Sequence, residues 1–139
     1  MKILICGLPG SGKTTLAKRL VELLDGVHIN ADNVRKKYDD WDFTPEGRMR
    51  QAMRMKYLSD GVVQAGKIAI ADFVAPTELT RRSFEAGVII WMDTISEGRF
   101  EDTNKIFETP DVWDIRMDKF ETEEAIEEIA RVLKEEYNV

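Results

Sequence analysis

The segment GLPGSGKT at residues 7–14 constrains the fold of this chain more than any other part of its sequence. It matches G-x-x-x-x-G-K-[ST] in full and lies between an apolar run, residues 2–6, and a set of leucines at helical spacing. Glycines in such a loop let backbone N–H groups turn toward phosphate oxygens, and the helix start adds partial positive charge. The sequence therefore predicts a phosphate-binding loop between a strand and a helix, and hence nucleotide binding.

Strands and helices are predicted to alternate along the rest of the chain. Short apolar runs predict strands at residues 2–6, 27–30, 67–71, 88–93 and 113–117. Apolar spacing and end signals predict helices over residues 16–24, 45–66, 76–84 and 126–133. Residues 94–113 show no clear period, and we expect a loop there that acts as a shortened lid. This order predicts an α/β fold, a three-layer doubly wound parallel sheet of the P-loop NTPase type, in a single domain over residues 1–139.

Composition and charge narrow the class of ligand. The single cysteine, Cys6, excludes an intramolecular disulfide framework and is typical of a reducing compartment. No apolar run approaches the roughly 20 residues of a membrane helix, and no signal or transit peptide is evident, so we expect a cytoplasmic protein without a membrane partner. The net charge of −6 resides in residues 111–139, whereas Arg48, Arg50, Arg54 and Lys56 form a basic stretch. One basic site on an acidic chain favours a small anionic ligand over nucleic acid.

The loop also predicts how a nucleotide and its metal would be held. Lys13 is expected to reach the outer phosphates of ATP, and Thr14 to offer its hydroxyl to Mg²⁺. Asp72 ends an apolar strand and is the first candidate for the carboxylate that helps to hold this ion, with Asp32 as the second. An ordinary turn residue is the alternative for Asp72. The residues predicted to bind ATP are Gly7, Leu8, Pro9, Gly10, Ser11, Gly12, Lys13, Thr14 and Thr15.

The remaining motifs distinguish between classes of nucleotide-binding protein. A GTPase needs N-K-x-D to read guanine, and the candidate at residues 104–107, NKIF, lacks the acid. No D-x-x-G switch follows the third predicted strand. A small chain with a phosphate loop and a basic second helix instead predicts a kinase whose arginines hold an anionic acceptor.

Four segments carry a resemblance to a known family. They are NADNVR at residues 30–35, Phe43, RMRQAMR at residues 48–54 and DFVAP at residues 72–76. Together with the phosphate loop they resemble the adenylylsulfate (APS) kinases, which carry D-G-D-x-V-R, a Gly-Phe, R-x-x-N-x-x-R and F-I-S-P in this order. The resemblance covers about the first 95 residues, through Asp93-Thr94.

This resemblance implies transfer of the γ-phosphoryl group of Mg-ATP to the 3′-hydroxyl of adenosine 5′-phosphosulfate (APS), giving PAPS and ADP. Asp32 would orient or deprotonate the hydroxyl, Arg35 and Arg48 would hold the phosphosulfate, and Phe43 would pack on the adenine. Arg54 matches the last arginine of the helix motif. The further acceptor-binding residues that the resemblance implies are Gln51, Phe73 and Val74.

The sequence departs from the family pattern at several points. Asn30-Ala31 replaces Asp-Gly, Gln51 replaces asparagine, and Ala75 replaces a serine that some family members phosphorylate. The family's long basic lid is shortened here to EGRFEDTNKIFETP, residues 97–110. We assign Arg99 to the phosphates of ATP as a third catalytic residue beside Lys13 and Asp32. Two further lid residues, Lys105 and Phe107, are assigned to the acceptor.

Two alternatives remain open from the sequence. The chain is either a kinase of this type or one for another small-molecule or nucleotide hydroxyl, and a non-catalytic ATP-binding module is the second alternative.

A homodimer is one assembly that the sequence leaves open. His28, the only histidine, has no Cys, His or acid cluster at ligand spacing, which favours a structural role.

Overall fold

Five parallel strands form the central sheet of the computed structural model, which describes residues 1–139. They are β1 (Lys2–Cys6), β2 (Val27–Asn30), β3 (Ala69–Asp72), β4 (Val88–Met92) and β5 (Ile115–Met117). Their order across the sheet is β2-β3-β1-β4-β5, and every neighbouring pair is parallel. The predicted doubly wound parallel sheet is thereby confirmed.

Six helices connect the strands and cover the sheet. They are α1 (Lys13–Leu24), α2 (Ala31–Tyr38), α3 (Pro45–Gln64), α4 (Glu78–Phe84), α5 (Glu101–Ile106) and α6 (Glu123–Tyr137). None of them is both long enough and apolar enough to cross a membrane.

Side chains of β1 alternate between two apolar cores, one on each face of the sheet. Ile3 and Ile5 pack with α1 and α6, whereas Leu4 and Cys6 pack with α2 and α3. Successive side chains of a strand point to opposite faces, so a strand that is apolar throughout needs cover on both sides. The result is the predicted three-layer arrangement, with helices on both faces.

Two helices were not predicted from the sequence. The first, α2, contains little apolar periodicity and is set by its ends: Asn30 caps it by accepting from the Asn33 N–H at 3.0 Å, and Asp32 lies in its first turn. The second, α5, falls inside residues 94–113, where the expectation of a continuous loop was wrong. Its buried residue is Thr103, so tertiary contact rather than an amphipathic pattern places this helix.

The sheet topology brings three strand ends to one edge. The register pairs Ile5 of β1 and Asn30 of β2 with Asp72 of β3, all at the carboxyl ends of their strands. The segment after β1 is the predicted phosphate loop. Ligands of open α/β sheets bind outside these carboxyl ends, so the functional site is expected at this edge.

Candidate functional site

The phosphate loop lies between β1 and α1 as predicted, and its backbone requires glycine. Gly7 has a φ of +152°, and a Cβ there would come within 2.7 Å of the Met92 carbonyl oxygen. Gly12, at the start of α1, has a left-handed φ of +99° and provides no side-chain cap. The first N–H groups of α1 are therefore available to an anion, because no side chain occupies them.

The side chain of Lys13 crosses this loop. Its Nζ donates to the Leu8 carbonyl oxygen at 3.0 Å, and the side chain is buried. Burial lowers the pKa of Lys13, and the nearby negative charge of Asp72 opposes that shift. An ammonium group in a partly desolvated loop attracts phosphate more strongly than one in water, since the local dielectric is lower.

A cluster of polar side chains lies beside the loop at the ends of β2 and β3. Thr14 Oγ1 donates to Asp72 Oδ1 at 3.4 Å, and Asn30 Nδ2 donates to Asp72 Oδ2 at 3.1 Å. His28 Nε2 lies 2.5 Å from the same Oδ2. The Asp72 side chain is only 4% exposed. Asp72 is thus a buried carboxylate fixed by three partners, and not an ordinary turn residue.

This cluster fits a magnesium ion in its donor chemistry. Mg²⁺ binds hard oxygen ligands and usually takes one or two carboxylates together with waters and substrate phosphates. Thr14 and Asp72 present such oxygens in direct contact, next to the loop. No group of three or more His, Cys, Asp or Glu side chains that could hold a metal ion is present.

A cleft of about 560 Å³ opens from this cluster toward α2, α3 and α5. Its walls carry charges of both signs together with aromatic rings. The lining residues are Pro9, Gly10, Lys13, Thr14, Asn30, Ala31, Asp32, Asn33, Lys36, Trp41, Phe43, Arg48, Asp72, Phe73, Val74, Arg99, Phe100, Asp102 and Thr103.

Arg48 joins two walls of the cleft. Its Nε donates to the Phe43 carbonyl oxygen at 2.9 Å, and its Nη2 donates to Thr103 Oγ1 at 3.2 Å. Asp102 lies 3.9 Å from the same nitrogen. Burial lowers the pKa of Arg48, and Asp102 opposes the shift. Arg48 therefore combines a partly desolvated charge with a tether between α3 and α5.

The structure brings most of the predicted site residues together at this cleft. Lys13, Thr14 and Asp72 line the cleft beside the phosphate loop, and the exposed Asp32 lines it from the start of α2. Of the remaining loop residues, Gly7, Leu8, Ser11 and Gly12 contribute backbone beside the cleft, and Thr15 is exposed on α1. The other predicted residues that line it are Pro9, Gly10, Phe43, Arg48, Phe73, Val74 and Arg99.

Three predicted acceptor residues do not line the cleft, because other groups of the protein already bind them. Arg35 Nη1 donates to the carbonyl oxygens of Asp40 and Asp42, at 3.0 and 3.2 Å. Arg54 pairs with the Asp40 carboxylate at 2.8 Å, and Gln51 donates to the Ala31 carbonyl oxygen at 2.9 Å. These contacts fix α2 and the following loop against α3, and acceptor binding by these residues stays a prediction.

The two lid residues assigned to the acceptor also lie outside the cleft. Lys105 is exposed and lies 3.7 Å from Glu101 within α5. Phe107 packs with Arg81, whose guanidinium carbon lies 5.8 Å from the centre of the Phe107 ring. In this structure α5 directs these side chains toward solvent and toward α4, and their assignment to the acceptor stays a prediction.

Several lining residues were missed from the sequence. Asn33 and Lys36 come from α2, whose capping asparagine and end charges were the available signal. Trp41, from the loop after α2, also lines the cleft. Asp102 and Thr103 had no signal, since only the tertiary position of α5 brings them to Arg48.

Comparison with known proteins gives a matching family model and similar curated proteins. A family model described as an AAA domain matches residues 3–104. The chain is 36% identical over 83 residues to a probable adenylyl-sulfate kinase of Aeropyrum pernix, covering 55% of this chain and 45% of that protein. The adenylyl-sulfate kinase of Oceanobacillus iheyensis is 35% identical over 81 residues, 54% and 41% of the two chains. The alignments thus span less than half the length of these curated relatives.

Solved structures share the fold over almost the whole chain. The APS kinase of Mycobacterium tuberculosis in complex with AMPPNP and APS has a TM-score of 0.79 at 17% identity, covering 99% of this chain and 97% of that one. The shikimate kinase of Aquifex aeolicus has a TM-score of 0.68 at 20% identity, with 99% coverage of both. At these identities the likeness establishes the kinase-type P-loop fold.

Proposed function

The chain belongs to the AAA domain family, and from this premise we propose that it is a P-loop kinase that transfers the γ-phosphoryl group of Mg-ATP to the 3′-hydroxyl of APS. One observation carries the proposal. A phosphate loop with its Thr14–Asp72 pair lines a single cleft together with the carboxylate of Asp32 and the guanidinium of Arg48. Its relatives named adenylyl-sulfate kinase support APS as the acceptor.

The nucleotide end of the cleft would hold Mg-ATP. Lys13 and the free N–H groups at the start of α1 would bind the β- and γ-phosphates. Thr14 and Asp72 would hold Mg²⁺ through their oxygens. When bound there, the ion would supply positive charge beside the phosphates and offset the charge of the transition state. Arg99, which lines the same cleft, would add a second cation near the γ-phosphate.

The acceptor end would place a hydroxyl in line with the γ-phosphorus. Asp32 would accept the hydroxyl proton while the acceptor oxygen forms its bond to phosphorus and the bond between phosphorus and the ADP oxygen breaks. Arg48 would hold the anionic group of the acceptor, and Phe43 its adenine ring. Most of the rate enhancement would come from positioning and electrostatic stabilisation.

One observation favours a second candidate, a kinase for a different hydroxyl acceptor. Arg35, which the resemblance assigns to the phosphosulfate, is bound to backbone carbonyl oxygens outside the cleft. Asp102 lies in the cleft beside Arg48 and would repel a second negative charge. Fewer free cations favour an acceptor with less charge than a phosphosulfate.

Coupled release of ADP from Mg-ATP, with and without APS, tests the proposal. Formation of PAPS is followed by the 3′-phosphate signal in ³¹P NMR. Shikimate and gluconate serve as alternative acceptors, because kinases for both share this fold. ADP release that requires APS supports the proposal, release that requires another acceptor supports the second candidate, and ATP binding without turnover identifies a non-catalytic module.

Two matched pairs of variants locate the chemistry. Lys13→Met is expected to abolish turnover, whereas Lys18→Met, on the exposed side of the same helix, is expected to retain it. Arg48→Lys is expected to lower kcat/KM for APS by about 10- to 100-fold, since a charged hydrogen bond contributes about 1.5–3 kcal/mol. Arg50→Lys, on the same helix but outside the cleft, serves as its control.

The cellular location and the assembly remain predictions. The buried, unpaired Cys6 is consistent with the reducing cytoplasm that the sequence predicts. Sedimentation of the purified protein would test the homodimer, with monomer and larger assemblies as its alternatives.

A further inference from the structure

His28 contacts the candidate metal site, although nothing in the sequence connected it to the loop. It lies on β2, two residues before Asn30, and its side chain is 18% exposed. Its Nε2 lies 2.5 Å from Asp72 Oδ2. A carboxylate oxygen accepts hydrogen bonds, so His28 acts here as the donor through Nε2.

The two oxygens of Asp72 have different partners. Oδ2 accepts hydrogen bonds from His28 Nε2 and Asn30 Nδ2, whereas Oδ1 accepts one only from the Thr14 hydroxyl. Two donors on one oxygen prevent the carboxylate from rotating about its last side-chain bond. Oδ1 is thereby kept toward the phosphate loop, where the ion of Mg-ATP would be bound.

Neighbouring strands hold this arrangement in place. Asn30 and Asp72 are register partners of β2 and β3, and His28 pairs with Ile70 two positions earlier. The donors therefore come from an adjacent strand of the sheet, not from a loop. Outer partners held in this way fix the orientation of a metal ligand and commonly change metal affinity about 10- to 100-fold when removed.

We propose that His28 is a positioning residue, whose Nε2 orients the carboxylate of Asp72 so that magnesium strengthens the binding of ATP. This inference rests on the proposed Mg-ATP site and is independent of which acceptor is used. His28 touches neither substrate in this arrangement and acts through Asp72 alone. Its effect should therefore appear in the coupling between magnesium and ATP, and not in the binding of ATP without metal.

Amide substitutions test which ring nitrogen matters. The Nε2 of glutamine lies at about the same distance from the backbone as the Nε2 of histidine, whereas the shorter asparagine places its nitrogen near the position of Nδ1. We therefore expect His28→Gln to preserve the donor to Asp72 and His28→Asn to lose it. His28→Leu removes the donor and places an apolar side chain at the same position of the strand.

The measurement is titration calorimetry of each variant with ATP, first in EDTA and then at saturating Mg²⁺. The Kd for ATP in EDTA divided by the Kd at saturating Mg²⁺ gives the coupling between the ion and the nucleotide. We expect this ratio to fall about 10-fold in the Asn and Leu variants and to stay within about twofold of wild type in the Gln variant. The Kd in EDTA should be the same in all four proteins.

Three results would overturn the inference, and they differ in what they say about function. An unchanged ratio in His28→Asn and His28→Leu would show that His28 does not position Asp72, while the Mg-ATP site would stand. A wild-type protein whose ATP affinity ignores magnesium would overturn both the inference and the proposed site. A merely structural role predicts parallel losses in EDTA and in magnesium, which would also refute positioning. Circular dichroism melting of each variant identifies such general loss of structure.

Discussion

The contact between Arg48 and Thr103 gives the sharpest test of how the lid segment is held. Arg48 Nη2 donates to Thr103 Oγ1 at 3.2 Å, and both residues are at least nine-tenths buried. Thr103→Val removes the hydroxyl but keeps the shape and the β-branch, so the helical preference of α5 changes little. The variant leaves a buried guanidinium N–H without this acceptor.

A buried donor that loses its partner costs about 1–3 kcal/mol. Asp102, 3.9 Å away, offsets part of this cost, so the loss should lie in the lower half of that range, about 1–2 kcal/mol. An unfolding entropy of about 2 cal/mol/K per residue converts this to a fall in Tm of about 3–7 °C.

Guanidinium unfolding and thermal melting measure the change, with Thr109→Val as the control because Thr109 is exposed in the same segment. Amide exchange of α5 detects a loss confined to the lid. If Thr103→Val and Thr109→Val agree within about 0.5 kcal/mol and exchange of α5 is equal, the contact does not hold the lid.

Three further predictions concern the core, the buried thiol and the partly buried carboxylate of Asp40. Phe84→Ala should lower the free energy of unfolding by about 3–5 kcal/mol in urea titration, because Phe84 is fully buried, whereas Phe120→Ala on the surface should change it little. Burial raises the pKa of Cys6 to about 11, so Ellman's reagent should label it at pH 8 only after unfolding, and rapid labelling of the native protein would contradict its burial. Hydrogen bonds from Arg50 hold the pKa of Asp40 well below its usual value of 3.8. The ionised carboxylate therefore stabilises the fold above about pH 4, this contribution is lost as the pH falls further, and Asp40→Asn should flatten the acid limb of a stability profile.

The nucleotide half of the site could be predicted because its chemistry is local in sequence. Residues 7–13, from the end of β1 to the first residue of α1, contain the glycines and Lys13, and no distant contact is needed to define them. Asp72 was also identifiable, since a single acid at the end of an apolar strand stands out from its neighbours. Parallel pairing then placed it beside Thr14.

The directions of the arginines could not be predicted, because spacing along a helix does not encode them. Arg48 and Arg54 lie on one arc of α3, yet Arg48 lines the cleft while Arg54 turns to Asp40. Long side chains with several donors bind whichever acceptors the fold brings near. The carbonyl oxygens that bind Arg35 come from the turn after α2, a helix that apolar periodicity did not indicate.

Local chemistry thus establishes the phosphate loop, the alternation of strands and helices, and the face that each apolar side chain takes. Tertiary structure decides what depends on segments far apart in the chain. It brings Thr103 to Arg48 across 55 residues and His28 to Asp72 across 44. A motif defines the first kind of feature because its atoms are joined by a few bonds. The second kind depends on strand order and helix packing, which set distances that no short segment contains.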